Sequence, residues 1–175
     1  LLENTRQGLF LHSDYNGASI LSHHLYLTLA LLVPLYDAVH SPFLPQAVQI
    51  LLMGGAAFLV GLAARERYGN SGSAAALFFM LLHPAFQGQI LHEFDPGVIG
   101  LFGTSLALLG YAKESRPVYA LGLGLALLSK EHFAAGWFIA GALFCFNGRT
   151  RRLGFATMLL SALVLAVFIW YSRSV

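Results

Sequence analysis

Charge is almost absent from long runs of this chain. Residues 43–64, 73–91, 97–112, 117–128, 133–146 and 153–171 contain no Asp, Glu, Lys or Arg, and a short polar turn follows each run. A bilayer demands such a pattern, because backbone polar groups must be satisfied inside the helix and outward side chains must tolerate hydrocarbon. The expected fold class is therefore all-α: a polytopic helical membrane protein, one transmembrane domain over residues 1–175. With 57% hydrophobic and 10% charged residues, an ordinary soluble domain, about a quarter charged, is excluded.

Crossing a ~30 Å hydrocarbon core takes about 20 helical residues at ~1.5 Å each. Residues 43–64 meet that length, accept Pro45 in the first turn and end at Arg65-Glu66-Arg67, with Gly69-Asn70-Ser71-Gly72 as the turn. A second crossing is predicted over 73–91, kinked at Pro84, with His83 and Gln87 sharing one face. A third runs from Pro96 or Gly97 to Lys113, and the last spans 153–171 with Trp170 and Tyr171 as interfacial anchors. Residues 117–128 and 133–146 are short, roughly 18 and 21 Å, and meet at Ser129-Lys130-Glu131-His132. Either the bilayer is thinned there or that turn lies recessed in a water-filled cavity. Residues 25–39, broken by Pro34, reach only about 22 Å. The expectation is about five full crossings plus this one short or re-entrant helix.

Alternating crossings from residue 43 put the loops 65–71, 113–116 and 147–152 on one side, with seven of the ten Lys and Arg residues. The positive-inside rule makes that side cytoplasmic and predicts a multi-pass protein of the bacterial inner membrane, in contact with its lipids. The opposite side receives His40, His92, Glu93, Asp95, Lys130, Glu131 and His132, with His83 just beneath it. Residues 1–22 cannot span, carry turn chemistry at Asp14, Asn16 and Gly17, and form an extracytoplasmic loop if the short helix returns. If that helix crosses, His12, Asp14, His23 and His24 become cytoplasmic instead. The opening L-L-E-N-T-R-Q-G is neither a start nor a secretory signal and predicts a fragment of a longer protein. A net charge of +2 gives no footprint for nucleic acid, and the lone Cys145 rules out an internal disulfide or a cysteine-based metal site. Gly54-Gly55-Ala56-Ala57 and Gly122-x-Gly124 read as close helix packing.

The chemistry concentrates in H-P-A-F-Q-G-Q-I-L-H-E-F-D-P-G, residues 83–97, and in the turn at 129–132. Ionisable groups that lipid cannot solvate persist where they face a cavity or carry function. Glu93 and Asp95, flanking Phe94, could bind a hard divalent cation or orient a polar substrate. Lys130 could neutralise a phosphate, with Glu131 as its structural partner. His83, His92 and His132 are candidates for proton transfer or phosphate donation. The candidate catalytic residues are thus Glu93, Asp95 and His92. No nucleophile triad, P-loop or dense zinc pattern is present.

The run His24 to Tyr36, Ser41-Pro42, L-A-A-R-E-R-Y-G at 62–69, E-F-D-P at 93–96 and S-K-E-H at 129–132 resemble a bacterial family of predicted membrane proteins catalogued as a domain of unknown function. Their order is also similar to that in the GT-C superfamily, membrane glycosyltransferases that take sugars from polyprenyl-phosphate carriers on the extracytoplasmic face. The resemblance implies a GT-C-like N-terminal half, with Glu93 and Asp95 as the second acidic motif, although E-F-D-P stands where D-F-H-P is more usual. It implies that Lys130 meets the carrier phosphate, with Glu131, His132, His83 and His24 completing the substrate-binding set. N-T-R-Q-G at 4–8 is similar to the N-T-x-x-G that follows the first outer-loop acid, and that acid, the expected general base, would lie upstream of Leu1. The alternative expectation is a non-catalytic subunit of a larger membrane complex that keeps the fold for helix packing. A transporter is the third, disfavoured by the lack of an internal repeat.

Overall fold

The computed structural model describes residues 2–13, 18–22, 24–91 and 93–174. Expectations placed on Leu1, Asp14, Asn16, Gly17, His23 and His92 lie outside the described residues. The chain forms helices α1 (Leu2–Arg6), α2 (Val33–Val39), α3 (Leu44–Leu82), α4 (Pro84–Leu91), α5 (Gly97–Ala112), α6 (Arg116–Leu127), α7 (Glu131–Cys145) and α8 (Arg151–Ser174). A two-residue antiparallel bridge pairs His12–Ser13 with Ala18–Ser19. Two compact units result: residues 38–126, and residues 1–37 with 127–175.

Within the 38–126 unit, α3 is two helices joined at Gly69, whose φ of 70° and ψ of −164° leave the helical region. Only glycine takes that backbone geometry without strain. The chain turns there through one residue, not the four-residue turn expected over 69–72, and the two halves pack side by side. A Cβ added to Gly61 would sit 3.0 Å from Cγ of Leu77, on the other half. The expected kink at Pro84 is a full break: His83 is extended (φ −64°, ψ 124°), and Pro84 starts α4. Proline restricts its predecessor to extended geometry and lacks the N–H needed to continue a helix.

Helix α5 packs against α3, with Gly55 under the Phe102 ring, and α5 meets α6 at backbone distance. A Cβ on Gly103 would fall 2.7 Å from the Ala126 nitrogen, and one on Gly122 would meet the Ala107 nitrogen. Gly124, two residues on, faces open space, so Gly122-x-Gly124 packs through Gly122 alone. At the other end of this helix set Lys113 pairs with Glu66 at 3.6 Å, and the Arg67 guanidinium lies 5.2 Å from the Tyr111 ring centroid.

In the other unit, Gly8 (φ 89°) ends α1, with Leu9 N–H donating to the Asn4 carbonyl and Gly8 N–H to that of Thr5. This is the Schellman arrangement, which needs a left-handed residue. Thr5 Oγ1 also accepts the Leu11 N–H at 2.8 Å, and Asn4 Nδ2 donates to the His12 carbonyl. The N-T-x-x-G pattern at 4–8 is thus a local fold signature. Residues 25–39 are a 3-10 helix, Leu27–Leu32, running into α2 with Pro34 in its first turn. Helices α7 and α8 touch at Gly141 and Gly154, where a Cβ on either would fall within 3 Å of the other helix's backbone.

Two helical runs are long and apolar enough to cross a membrane: Leu44–Leu82, which is broken at Gly69, and Arg151–Arg173. Five full crossings are not found. The expected second crossing is split at His83, and α5, with 16 residues, gives about 24 Å of helix against the ~30 Å required. The side-chain layout of α8 is inverted relative to a soluble helix. Ser161 is fully buried and Thr157 nearly so, while Leu159 is 67% and Trp170 71% exposed. On α3 likewise, Gln49 and Ala56 are buried whereas Leu51, Phe58 and Phe79 point outward. Small and polar groups inside with large apolar groups outside suit a lipid surround, where helix association relies on close packing of small residues.

Candidate functional site

The turn Ser129-Lys130-Glu131-His132 begins α7, and the short segment 24–28 lies against it. Thr28 N–H donates to the Leu128 carbonyl at 3.3 Å, and the Thr28 and Ser129 hydroxyls are 3.0 Å apart in the interior. Glu131 uses both oxygens: Oε1 lies 3.1 Å from His24 Nδ1, and Oε2 accepts the Leu25 N–H at 3.2 Å. His24 N–H donates to the Ile20 carbonyl and Tyr26 N–H to that of His24, while the Leu25 amide between them turns to the Glu131 side chain. The carboxylate supplies the partner that amide needs.

Lys130 Nζ lies 5.6 Å from the centroid of the buried Tyr26 ring, a cation–π placement, and the His24 ring is 5.1 Å from the same ring. Of the residues the sequence singled out, His24 and Lys130 therefore lie against Tyr26, and Glu131 joins them through His24. His132 is exposed, with its ring stacked near Phe133 at 4.5 Å. Burial works to raise the Glu131 carboxyl, but its own backbone amide, His24 and the Leu25 N–H outweigh it and hold the group below the ordinary carboxylate range. Glu131 is ionised at neutral pH and can only accept hydrogen bonds.

His83, Glu93 and Asp95 belong to the 38–126 unit. His83 is exposed; its Nδ1 accepts the Ala85 N–H at 3.2 Å and its carbonyl accepts from Gln87 N–H, so it caps α4. Gln87 does not share a helix face with it, because His83 is outside the helix; the Gln87 side chain donates to the Leu81 carbonyl. Asp95 Oδ1 accepts the Gly97 N–H at 2.8 Å, an Asx turn that starts α5, and Asp95 N–H donates to Gln49 Oε1 at 2.9 Å. Glu93 is exposed. Among the described residues no three His, Cys, Asp or Glu side chains assemble into a metal-binding group.

Gln46 and Gln49 were not singled out from the sequence. Gln49 Nε2 donates to the Gln89 carbonyl at 2.7 Å and Gln46 Nε2 to that of Ile90 at 3.2 Å, tying the residues before Asp95 to α3. The available signal was a pair of amides, three apart, in an otherwise apolar helix. Such groups must find partners when buried. Tyr26, Thr28 and Ser129 sit within the motifs already quoted, and nothing in their spacing distinguishes them.

The model of the DUF2079 family, predicted membrane proteins, matches residues 1–171. The chain belongs to this family. No curated protein and no solved structure matches it. DUF2079 is described only as a predicted membrane protein family of unknown function, and nothing links it to GT-C glycosyltransferases.

Proposed function

We propose that this DUF2079 protein binds the phosphate of a polyprenyl-linked sugar at Lys130 and transfers the sugar on the extracytoplasmic side of the bacterial inner membrane. The observation that supports this is the clasp of Lys130, Tyr26, Glu131 and His24 at the head of an apolar helix. Glu131 is committed to His24 and Leu25, and the Lys130 ammonium is held against an aromatic face. A phosphate would meet a positioned point charge beside apolar surface for the prenyl chain. Residues 1–22 would lie on the same side, and the basic loops on the cytoplasmic side, with the shorter apolar helices entering the bilayer within a multi-pass bundle. Glu93 and Asp95, in the 38–126 unit, would by themselves orient a polar group or a divalent cation.

The test is Lys130→Ala in full-length protein in nanodiscs, with farnesyl phosphate binding followed by native mass spectrometry. Affinity should fall about tenfold or more, the scale of one charge-assisted contact. Unchanged binding would remove Lys130 from the site.

A second reading, a non-catalytic subunit of a larger membrane assembly, is favoured by Gly54, Gly124 and Gly136, where an added Cβ meets nothing within the protein. Gly54→Leu would then release a partner of fixed stoichiometry on purification. Retention of the partner would remove that interface.

A further inference from the structure

The clasp holds a carboxylate–imidazole pair, Glu131 with His24. We infer that His24 takes the proton from the acceptor hydroxyl, and that Glu131 is the positioning residue that fixes its imidazole. This rests on the glycosyl-transfer reading above.

Three observations carry it. First, a carboxylate can only accept, so the 3.1 Å contact between Glu131 Oε1 and His24 Nδ1 puts the proton on Nδ1. In the neutral ring, Nε2 then keeps its lone pair, and the carboxylate compensates the imidazolium that forms when a proton arrives. Carboxylate–imidazole pairs of this kind activate oxygen nucleophiles on unrelated folds. Second, the His24 side chain is 43% exposed while Glu131 is 28% exposed, so the imidazole is the more open member of the pair. Third, His24 and Lys130 both pack on Tyr26, which brings a base and a phosphate-binding cation to one place. The lowered Glu131 carboxyl is consistent with its staying ionised throughout.

The step balances. The acceptor O–H bond breaks and its proton goes to His24 Nε2. The acceptor oxygen forms the new bond to the anomeric carbon of the sugar, and the bond from that carbon to the phosphate oxygen breaks. Its electron pair stays on the phosphate, giving polyprenyl phosphate with one more negative charge, beside Lys130. The imidazolium later returns its proton to water.

Two measurements test the inference on full-length protein in nanodiscs. In protein carrying 15N-labelled histidine, long-range nitrogen–proton spectra, with His24 assigned through His24→Gln, should show the Nδ1–H form in wild type and its loss in Glu131→Gln. An Nε2–H form in wild type would overturn the inference. A panel of polyprenyl-phosphate sugars, with a primary alcohol as acceptor, reads transfer. His24→Gln should lower kcat about 10²–10⁴-fold, the usual worth of a positioned base. Glu131→Gln should lower kcat less and leave the KM for the donor unchanged, and melting curves would confirm that both variants fold. Transfer undiminished in His24→Gln would overturn the inference and leave the glycosyl-transfer reading standing. No transfer by wild type with any donor would overturn that reading, and the inference with it.

Discussion

Glu131 Oε1 lies 3.1 Å from Nδ1 of His24, 107 positions earlier in the chain, and its second oxygen accepts the next residue's N–H. One side chain thus joins the N-terminal part of its unit to the start of α7. The join is electrostatic and so depends on pH. Because the folded carboxyl lies below its ordinary value of 4.5, its stabilisation is present above that value. It is lost as pH falls through the lowered one. Melting of wild type and Glu131→Gln should differ at pH 6 and converge once the pH has fallen below the lowered carboxyl value. The difference at pH 6 should be about 1 kcal/mol, since the pair is partly exposed and screened. A gap that persists in acid would show that packing, not charge, sets the contribution.

The reversal at Gly69 should not tolerate a side chain. Gly69→Ala places a Cβ at φ 70° and ψ −164°, which should cost about 1–3 kcal/mol. Circular-dichroism melting in detergent reads this as a lowered midpoint. An unchanged midpoint would mean that the chain can turn through Asn70 or Ser71 instead.

Two glycines on α6 should behave oppositely. Gly122→Leu drives a side chain into the Ala107 backbone, whereas Gly124→Ala enters open space. The first should cost at least about 3 kcal/mol, or prevent folding, as overpacking against backbone does. The second should change stability by less than about 0.5 kcal/mol. Equal effects would contradict the close approach of α5 and α6.

Gln49 is fully buried and satisfies both the Gln89 carbonyl and the Asp95 amide. Gln49→Leu keeps the volume but leaves both backbone groups unpaired, at about 1–3 kcal/mol each. Hydrogen exchange at the Asp95 amide should rise sharply in the variant. Unaltered protection would show that the amide has another partner.

Some of this architecture is legible residue by residue. Lys113 and Arg116 mark the turn between α5 and α6, and Lys130 and Arg151 mark the starts of α7 and α8, because charge is costly in an apolar helix and collects at its ends. Pro84 announced a disturbance, but whether it kinks or breaks the helix depends on what the freed groups bond to. Here His83 turns its ring onto the Ala85 amide and ends the helix. The E-F-D-P stretch read as chemistry, while in the fold Asp95 starts α5 and pairs with Gln49. The acids of 93–95 and the S-K-E-H turn, quoted as parts of one pattern, fall in different units.

Composition and spacing alone determined that this chain is helical, apolar on its outer faces, and broken by charged turns near residues 66, 114 and 150, because helix length and the cost of buried charge are local properties. Only the tertiary structure decided that Glu131 meets His24, that Lys130 rests on Tyr26, and that Gln49 holds Asp95. Those pairings join residues far apart in the chain, and the helices likewise approach to backbone distance at particular sites, Gly103, Gly122, Gly141 and Gly154. A small residue permits such an approach, but the sequence does not state which of several small residues the neighbouring helix will use.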